Sequence, residues 1–448
     1  MSAAGASGWL LGWSQGHYLW AFLTWLFEDT RFRSRSRCTA SKVAEAVSSN
    51  FIAQKGVIIT SMTSSATSSA SHLVVLVHGF DGHPREWRQL MRVFNETASR
   101  STANELRFLP CSSIAGANTH HGVATAGSLV KQEILAELQR APADRLSVIA
   151  HSMGGLISLW ALHLLNIENG VSGGGSGSGP DDTSPKRRRL AQQEHGHGHV
   201  PPPRLLNYVA VATPFIGIRG SAVTAGGRLV GAAKYLPNLS IREMALCDDD
   251  SPSNATSEEG ATSDAAAASC QHMLERLSRD DILDGVLQRF ARRAVFANVH
   301  GDLQVGYESA ALSRSKPVGH EGLTRSTRWY HLTERSTRGA HDHAPSPASP
   351  LPTAEQEEEP ATSAWLLRDH KLPLLLEILR RYHTLPWERT DVRFGSTHLP
   401  SPFAHEQIVG KLLRGAFEDP TARDVLEYMA DRFVVDADGR RMGESQRA

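Results

Sequence analysis

The chain has 448 residues, of which 40% are hydrophobic, and its 47 lysines and arginines balance 47 aspartates and glutamates. This length is ample for a large core, and the balanced charge gives no general attraction to nucleic acid, so we expect no nucleic-acid partner. The four cysteines lack the paired spacing of a zinc site or a small disulfide scaffold, which favours a reducing, intracellular compartment.

Residues 1–71 form a predicted N-terminal extension. Its main feature is an apolar segment at 9–27, "WLLGWSQGHYLWAFLTWLF", which has no formal charge and four tryptophans and is followed by "RFRSRSR" at 31–37. Because the positive charge comes after the apolar segment, a cleaved secretory signal is disfavoured, and we expect a helix that lies on or anchors to a membrane surface. An organelle-targeting peptide and an apolar helix covering the domain are the alternatives.

Four apolar runs of strand type come next in chain order, at 72–80, 145–152, 205–214 and 292–302. Continuous apolar runs of this length suit strands that are buried on both faces, as in a parallel sheet. Helical spacing at 126–141 separates the first two runs. Strands that alternate with helices predict an α/β fold with a mostly parallel, doubly wound sheet.

Three stretches of low complexity interrupt the predicted domain, which we place at 72–435. They lie at 169–203, 248–269 and 334–363, and a polar tail follows at 436–448. Their glycine, serine and charged residues cannot bury a core, so we interpret them as surface insertions. The first contains "KRRR" and "HGHGH", which resemble a nuclear-localisation patch and a metal-binding tract, but a solvated loop explains both and we assign no metal site.

The remaining predicted elements are helical. Residues 217–240 are apolar and glycine-rich, and they are expected to form either a lid over an acyl pocket or an ordinary packing helix. Further helices are predicted at 364–382, at 404–417 and at 421–433.

Ser152 stands where a predicted strand ends and a helix begins, in "LSVIAHSMGGLISLW". Ala150 and Gly154 lie two residues to either side of it. A nucleophile elbow needs this arrangement, because the backbone at the serine is strained and its neighbours must be small for the strand and the helix to pass closely. We therefore predict that Ser152 is a nucleophile, and a turn without chemistry is the alternative.

A second motif, "VHGFDG" at 77–82, follows the first predicted strand. A His-Gly pair in that position lets a loop bring a backbone N–H over the nucleophile, while the elbow supplies another from Met153. We predict Phe80, ahead of Gly79, as the first oxyanion donor and Met153 as the second. An ordinary glycine-rich turn is the alternative.

Several motifs together resemble the serine esterases of the DUF676 family, which have the α/β-hydrolase fold. They are "HLVVLVHGFDGHPREW", "AHSMGGL", "VATPFIGIRG", "RRAVFANVHGDLQVGYESAAL", "PWERTDVRF" and "FAHEQIV", in the family's order and spread over roughly 72–435. The resemblance implies ester hydrolysis. Because the family includes enzymes that act on acylglycerols or phospholipids, some of them associated with lipid droplets, it also implies a lipid or acyl-ester substrate.

The resemblance further implies Ser152 as nucleophile, Asp302 in "VHGD" as the acid and His405 in "FAHEQ" as the base. The order Ser, acid, His along the chain is the order that this fold uses, which supports the same choice from the residues alone. Asp391 is the rival acid and His398 the rival base. His341 and His343 are excluded by their place in an insertion, and His151 by its position beside the serine.

These roles predict a lipase-like serine esterase whose acyl-enzyme chemistry needs no metal or organic cofactor. A catalytically silent α/β-hydrolase scaffold that binds lipid or protein is the alternative from another class. Thioesterase or amidase activity stays open as well, since the same triad serves those substrates.

Overall fold

In a computed structural model the described residues are 71–100, 106–171, 202–221, 238–248, 272–316, 323–326, 330–337, 362–396, 399–400, 403–411 and 422–433. The predicted segment at 9–27, most of the three predicted insertions and the tail at 436–448 lie outside them. Among the described residues, no helix has the length and apolarity needed to cross a membrane.

The strands of the described ranges form one sheet in the order β2-β1-β3-β4-β5-β8-β7-β6, with β9 paired to β8. Neighbours from β2 to β8 are parallel, whereas β7 is antiparallel to both β8 and β6. In chain order the strands are β1 (His72–Val77), β2 (Leu106–Pro110), β3 (Arg145–His151), β4 (Arg204–Val211), β5 (Arg292–Asn298), β6 (Leu323–Ser326), β7 (Tyr330–Thr337), β8 (Trp387–Ser396) and β9 (Leu399–Pro400).

Helices connect the parallel strands, together with short 3-10 turns at Pro84–Trp87, Gly116–His121 and Leu287–Arg289. The described helices are α1 (Arg88–Ser99), α2 (Val123–Arg140), α3 (Met153–Val171), α4 (Leu239–Met244), α5 (Met273–Leu277), α6 (Asp280–Leu283), α7 (Tyr307–Ala310), α8 (Ala364–Arg368), α9 (Leu372–Tyr382), α10 (Ala404–Gln407) and α11 (Arg423–Phe433).

Helices cover both faces of the sheet, and the alternation of side chains along β1 shows why. Leu73, Val75 and Val77 pack into one core cluster with residues of α2, α3, α5 and α9, while Val74 and Leu76 pack into another with residues of α1 and α11. A strand buried on both faces needs apolar residues at consecutive positions, as the sequence provides. The predicted mostly parallel, doubly wound α/β fold is confirmed.

The four predicted strands and the helix at 126–141 correspond to β1, β3, β4, β5 and α2. The hairpin of β6 and β7 was not predicted, and β7 enters the predicted insertion at 334–363 as far as Thr337. Of the predicted lid at 217–240, residues 222–237 lie outside the described residues. The C-terminal prediction at 421–433 is confirmed as α11.

The predicted single helix at 364–382 is wrong, because α8 and α9 are separate helices. Between them the Asp369 carboxylate accepts hydrogen bonds from the Lys371 amide at 2.8 Å and from Arg219 Nε at 2.7 Å. A side chain that bonds the backbone two residues ahead competes with the helical hydrogen bonds. Pro373 then stands in the first turn of α9, where a missing N–H has no cost.

The predicted helix at 404–417 is also wrong, since α10 ends at Gln407. Gly410 has a φ of +79°, which terminates helical geometry. A Cβ at this position would lie 2.7 Å from Gln89 Oε1 on α1, so the chain turns where it passes closest to that helix. Residues 412–417 lie outside the described residues.

Candidate active site

Ser152, the predicted nucleophile, is the one residue between β3 and α3. Its φ of +54° lies in the left-handed region, which costs a non-glycine residue about 1–3 kcal/mol. The Ser152 amide donates a hydrogen bond of 2.8 Å to the carbonyl of Val211 at the end of β4, and this bond holds the conformation. The geometry is that of a strand–turn–helix elbow.

The residues after Ser152 are small because α3 begins in direct contact with the sheet. A Cβ on Gly154 would lie 2.2 Å from the carbonyl oxygen of Val77, and one on Gly155 would lie 2.2 Å from Thr213 Oγ1. Both distances are shorter than a Cβ tolerates. The two glycines are therefore required for the helix to start where it does.

The predicted oxyanion donors belong to two backbone segments next to the nucleophile. The loop that follows β1 passes so close that a Cβ on Gly79 would lie 2.7 Å from Ser152 Cβ and 3.2 Å from its Oγ. Phe80 is the next residue of that loop. Met153 is the first residue of α3, and an N–H in the first turn of a helix has no intrahelical acceptor. Both predicted donors thus belong to backbone that adjoins Ser152.

His405 and Asp302 form a buried pair. The distance from His405 Nδ1 to Asp302 Oδ2 is 2.8 Å, and the side chains are 4% and 3% exposed. The other carboxylate oxygen accepts hydrogen bonds from the amides of Gln304 and Val305, at 3.0 and 2.8 Å. Asn298 Nδ2 donates to Oδ2 at 3.0 Å. The carboxylate is therefore fully engaged and fixed in orientation.

Opposing influences set the protonation of this pair. Burial raises the pKa of Asp302, but His405 and the donated hydrogen bonds lower it by more, so the pKa lies below its ordinary value. Burial lowers the pKa of His405, but the Asp302 carboxylate raises it by more, and the net shift is upward. Because a carboxylate only accepts, the neutral ring carries its proton on Nδ1 and presents Nε2 as the basic nitrogen.

His151 connects the elbow to the loop that bears His405. Its Nε2 donates a hydrogen bond of 2.8 Å to the carbonyl of His405, and the two ring centroids are 4.7 Å apart. Burial, with a smaller contribution from the charge of His405, lowers the pKa of His151 to about 3. The ring of His151 is therefore neutral and holds the backbone of the predicted base.

Asn298, the last residue of β5, makes a second hydrogen-bonded contact with the loop that bears His405. Its Nδ2 group donates to Asp302 Oδ2 and also, at 3.1 Å, to the carbonyl of Ala404. Sequence reasoning missed Asn298 and His151, whose contacts with the loop span 106 and 254 residues. The available signal was an Asn directly after the apolar run 294–297 of that strand.

The rival residues have different surroundings. Asp391 lies within β8, is 2% exposed, and accepts a hydrogen bond of 2.7 Å from the hydroxyl of Tyr307. His398, His341 and His343 lie outside the described residues. Within the part of the chain that the structure describes, no group of three His, Cys, Asp or Glu residues could hold a metal ion.

Ser152, Asp302 and His405 lie toward the same edge of the sheet because each follows, directly or after a short connection, the carboxyl end of a parallel strand. These strands are β3, β5 and β8, with the short β9 between β8 and His405. The carboxyl ends of parallel strands meet at one edge of an open sheet, where such folds place their reacting groups. The order of the three residues along the chain matches the order in which this fold uses its triad.

The chain matches the model of one protein family, described as "Putative serine esterase (DUF676)", over residues 67–316. This match covers more than half of the chain. It includes Ser152, Asp302 and the loop after β1, and it ends before β8 and His405. No curated protein sequence matches the chain.

Solved structures with similar folds are distant in sequence. An extracellular α/β-hydrolase from a Paenibacillus species is 10% identical, over 36% of this chain and 51% of its own, with a TM-score of 0.21. A lipase-esterase related protein from Clostridium acetobutylicum is 11% identical, over 53% and 79%, with a TM-score of 0.27. Phospholipase PlaB from Legionella pneumophila is 14% identical, over 52% and 38%, with a TM-score of 0.25.

This chain spans about half of the Paenibacillus protein and less of the Legionella protein. Likeness at this level does not extend to activity. The family match over more than half of the chain, with the mostly parallel sheet described above, assigns this protein to the serine esterase family DUF676, with the α/β-hydrolase fold.

Proposed function

We propose that the protein is a carboxylic ester hydrolase in which Ser152 is the nucleophile, His405 the base and Asp302 the acid that orients it. The single observation that best supports this proposal is the buried hydrogen bond of 2.8 Å between His405 Nδ1 and Asp302 Oδ2, at the sheet edge that also bears the strained Ser152. A structural ion pair would not require a left-handed serine beside it.

The reaction follows from the protonation states. Neutral His405 accepts the Ser152 hydroxyl proton at Nε2 while the serine oxygen attacks the ester carbonyl. The protonated ring then gives that proton to the departing alcohol, and an acyl group is left on Ser152. Water attacks the acyl-enzyme with the same base, which releases the carboxylic acid and restores the serine. Asp302 stays ionised and stabilises the imidazolium.

The amides of Phe80 and Met153 donate to the oxygen that becomes negative in each tetrahedral intermediate. Donors of this kind act mainly on turnover, since they bind the transition state better than the substrate. Removing one typically lowers kcat by about 10²- to 10³-fold.

The substrate that we propose is a lipid ester, either an acylglycerol or a phospholipid, in keeping with the family resemblance. The apolar composition of the segment at 217–240 supports a pocket for an acyl chain. A thioesterase or an amidase with the same triad, and a silent scaffold, are the outcomes that a substrate panel would separate from ester hydrolysis.

The test is labelling with a fluorophosphonate probe, which reacts with an activated serine. We expect wild-type protein to be labelled at Ser152 and Ser152→Ala to lose all labelling. Ser158→Ala is the matched control, since Ser158 lies on the same helix with its hydroxyl bonded to the Gly155 carbonyl at 2.8 Å. Its labelling should be unchanged. Labelling that survives in Ser152→Ala would refute the assignment of Ser152 as the nucleophile.

The same proteins should be given a panel of acyl esters of increasing chain length, with thioester and amide analogues. Faster turnover of long-chain oxoesters supports the lipid proposal. Faster turnover of thioesters or amides would replace it with one of the other two activities.

A further inference from the structure

The four residues Gly79–Gly82 after β1, here called the oxyanion loop, are fastened to the 3-10 turn Gly116–His121, here called the Thr119 turn. The Asp81 amide donates a hydrogen bond of 3.0 Å to Thr119 Oγ1. The first amide of the turn donates to the last carbonyl of the loop at 2.9 Å. Two backbone positions of the loop are therefore fixed by a segment more than thirty residues away in the chain.

Side chains reinforce this attachment. His120 Nε2 lies 2.5 Å from Asp81 Oδ1, and the imidazole donates to the carboxylate. The His120 ring also stacks on the ring of Phe80, with centroids 4.7 Å apart and planes 11° from parallel. One side chain of the Thr119 turn thus contacts both the proposed oxyanion donor and the residue that follows it.

The oxyanion loop needs this external support because its backbone is strained. Asp81 has a φ of +52°, a left-handed conformation that residues other than glycine adopt at a cost, although Asp and Asn tolerate it better than most. The hydrogen bond donated to Thr119 and the one accepted from His120 are both made by Asp81. The strain and the restraint therefore coincide at one residue.

Hydrogen bonds from α4 fix the position of the Thr119 turn. Ser240 Oγ lies 2.5 Å from the carbonyl of Thr119, to which it donates, and it accepts from the Gly122 amide at 3.0 Å. Glu243 accepts a hydrogen bond of 2.7 Å from the Val123 amide at the start of α2. A continuous series of polar contacts therefore runs from α4 to the oxyanion loop.

We propose that Asp81, Thr119 and His120 are positioning residues that hold the oxyanion loop so that the Phe80 amide can donate to the developing oxyanion. This inference rests on the proposed function for its catalytic consequence, whereas the restraint itself is a property of the fold. Preorganised donors stabilise charge only when they are fixed in place, and a small displacement weakens them severely. The expected signature is a loss of turnover without a loss of substrate binding.

The experiment compares four variants in the full chain. Thr119→Val removes the hydroxyl acceptor at nearly constant volume, and His120→Phe keeps a flat ring against Phe80 but removes the bond to Asp81. Asp81→Asn is the conservative variant, because Asn tolerates the same φ and still accepts from His120. His272→Phe is the matched control, since it removes a His–Asp bond of the same 2.5 Å length that belongs to α5 and Asp248.

Two readouts are measured. Amide hydrogen exchange of the peptide covering 77–84 reports the restraint without requiring activity. Steady-state turnover of a soluble ester, with inhibition by a trifluoromethyl ketone that forms a serine hemiketal, reports the oxyanion site. In Thr119→Val and His120→Phe we expect exchange at least about fivefold faster and kcat about tenfold lower, with KM within about twofold. The inhibition constant should rise by the factor by which kcat/KM falls.

Asp81→Asn should stay within about threefold of wild type in both readouts, and the control His272→Phe should match wild type in both. Unchanged exchange in Thr119→Val and His120→Phe would overturn the restraint whether or not the protein is active. Faster exchange with unchanged kcat would overturn its link to catalysis. A decrease in kcat of more than about a thousandfold in His120→Phe, with unchanged hydrogen exchange, would indicate that His120 takes part in proton transfer. Absence of both turnover and Ser152 labelling in wild type would refute the proposed function alone.

Discussion

At Asp302, burial and hydrogen bonding act in opposite directions on one carboxylate. Burial raises its pKa, whereas His405 and the hydrogen bonds from Val305 and Asn298 lower it by more, and the carboxylate is therefore ionised at neutral pH. A buried carboxylate that accepts four hydrogen bonds cannot rotate, so it fixes the ring of His405 in one orientation. Charge and orientation are both properties that the proposed base requires.

We predict that Asp302→Asn lowers kcat at least about a thousandfold with the fold unchanged, because an amide at this position favours the wrong tautomer of His405. His405→Ala should lower kcat by a comparable factor, since the residues of a catalytic triad act as a unit. Asp391→Asn is the matched control, and its kcat should stay within about tenfold of wild type, because the Asp391 carboxylate is hydrogen-bonded to Tyr307 and not to His405.

Turnover of the purified variants, with circular dichroism to check folding, provides the comparison. Collapse of activity in Asp391→Asn together with near-normal activity in Asp302→Asn would transfer the acid role to β8. His398→Ala, at the rival base, should also remain within about tenfold of wild type.

The acid limb of kcat/KM should report the pKa of His405, which must be neutral to accept the serine proton. Burial lowers this pKa, Asp302 and then Glu406 raise it by more, and Lys411 lowers it by a smaller amount. Because the net shift is upward, kcat/KM should fall with decreasing pH through a midpoint above 6.5, the ordinary value for histidine. Glu406→Gln removes one of the raising charges, so the midpoint should move to lower pH.

The control for this shift is Glu137→Gln, which removes a charge that is bonded to Arg140 on α2. Its acid midpoint should equal that of wild type. An upward shift in Glu406→Gln, or no shift, would contradict the assignment of the limb to His405. The remaining Lys411 keeps its salt bridge of 2.8 Å with Glu86 in this variant, so the lysine stays paired.

At the scale of secondary-structure elements, the sequence predicted the strands and helices that are determined by the order of apolar and polar residues within the element itself. The runs at 72–80 and 145–152 appear as β1 and β3 because consecutive apolar residues suit a strand covered on both faces. The break between α8 and α9 follows from Asp369, whose carboxylate accepts hydrogen bonds from the Lys371 amide two residues ahead and from Arg219, 150 residues away. The long-range contact that helps to fix this carboxylate is absent from any local pattern, and the predicted helix at 364–382 was therefore too long.

The same distinction applies to the candidate site. The elbow around Ser152 is a local motif, and the steric need for Gly154 is visible in the sequence. The restraint of the oxyanion loop depends on His120, and the placement of His405 depends on His151, which were recognisable only after the chain was folded. Sequence patterns therefore identified the groups that are proposed to react, and missed the groups that hold them in place.

The docking of α4 against α2 gives a prediction on stability. Burial raises the pKa of Glu243 to about 7, despite its hydrogen bond from the Val123 amide. Between pH 4.5, its ordinary value, and about 7 the folded state therefore holds a proton that the unfolded state has released. Protons bound in excess by the folded state make the free energy of unfolding decrease as pH rises, here by an amount on the order of 2 kcal/mol.

Urea unfolding at pH 5 and at pH 8 measures this difference, and Glu243→Gln should reduce it by that amount. The glutamine keeps an acceptor for the Val123 amide but carries no charge at either pH. An undiminished pH dependence in the variant would show that Glu243 is not the group responsible. Because α4 also holds the Thr119 turn, wild type should lose protection of that turn at the higher pH as well.

At the scale of the whole molecule, the family match does not extend over all of the residues that are proposed to be catalytic. The match ends at residue 316, whereas the proposed base is His405. The chain from β8 to α11 completes both the sheet and the core cluster on one face, since Val392, Ala404 and Leu426 belong to the cluster that contains Val74. The C-terminal part is therefore a structural component of the hydrolase domain.

The N-terminal extension provides the last prediction. Its segment at 9–27 is apolar, rich in tryptophan and followed by arginines, a pattern typical of a helix at a membrane or lipid-droplet surface. The residues proposed to react all follow β1, which begins at His72. Deleting residues 1–40 should therefore leave hydrolysis of a soluble ester within about twofold of wild type while the protein moves from the membrane fraction to the soluble fraction.

Two full-length variants separate the anchor from a targeting peptide. Serine in place of Trp9, Trp13, Trp20 and Trp25 removes the interfacial side chains and should release the protein as the deletion does. Glutamine in place of the arginines at 31–37 should leave membrane binding to neutral vesicles intact, because apolar burial does not require those charges. Loss of organelle location in the glutamine variant with unchanged vesicle binding would add a targeting role to the same segment. Wild-type protein found wholly in the soluble fraction would refute the anchor, since tryptophans that are buried against the domain cannot also enter a lipid surface.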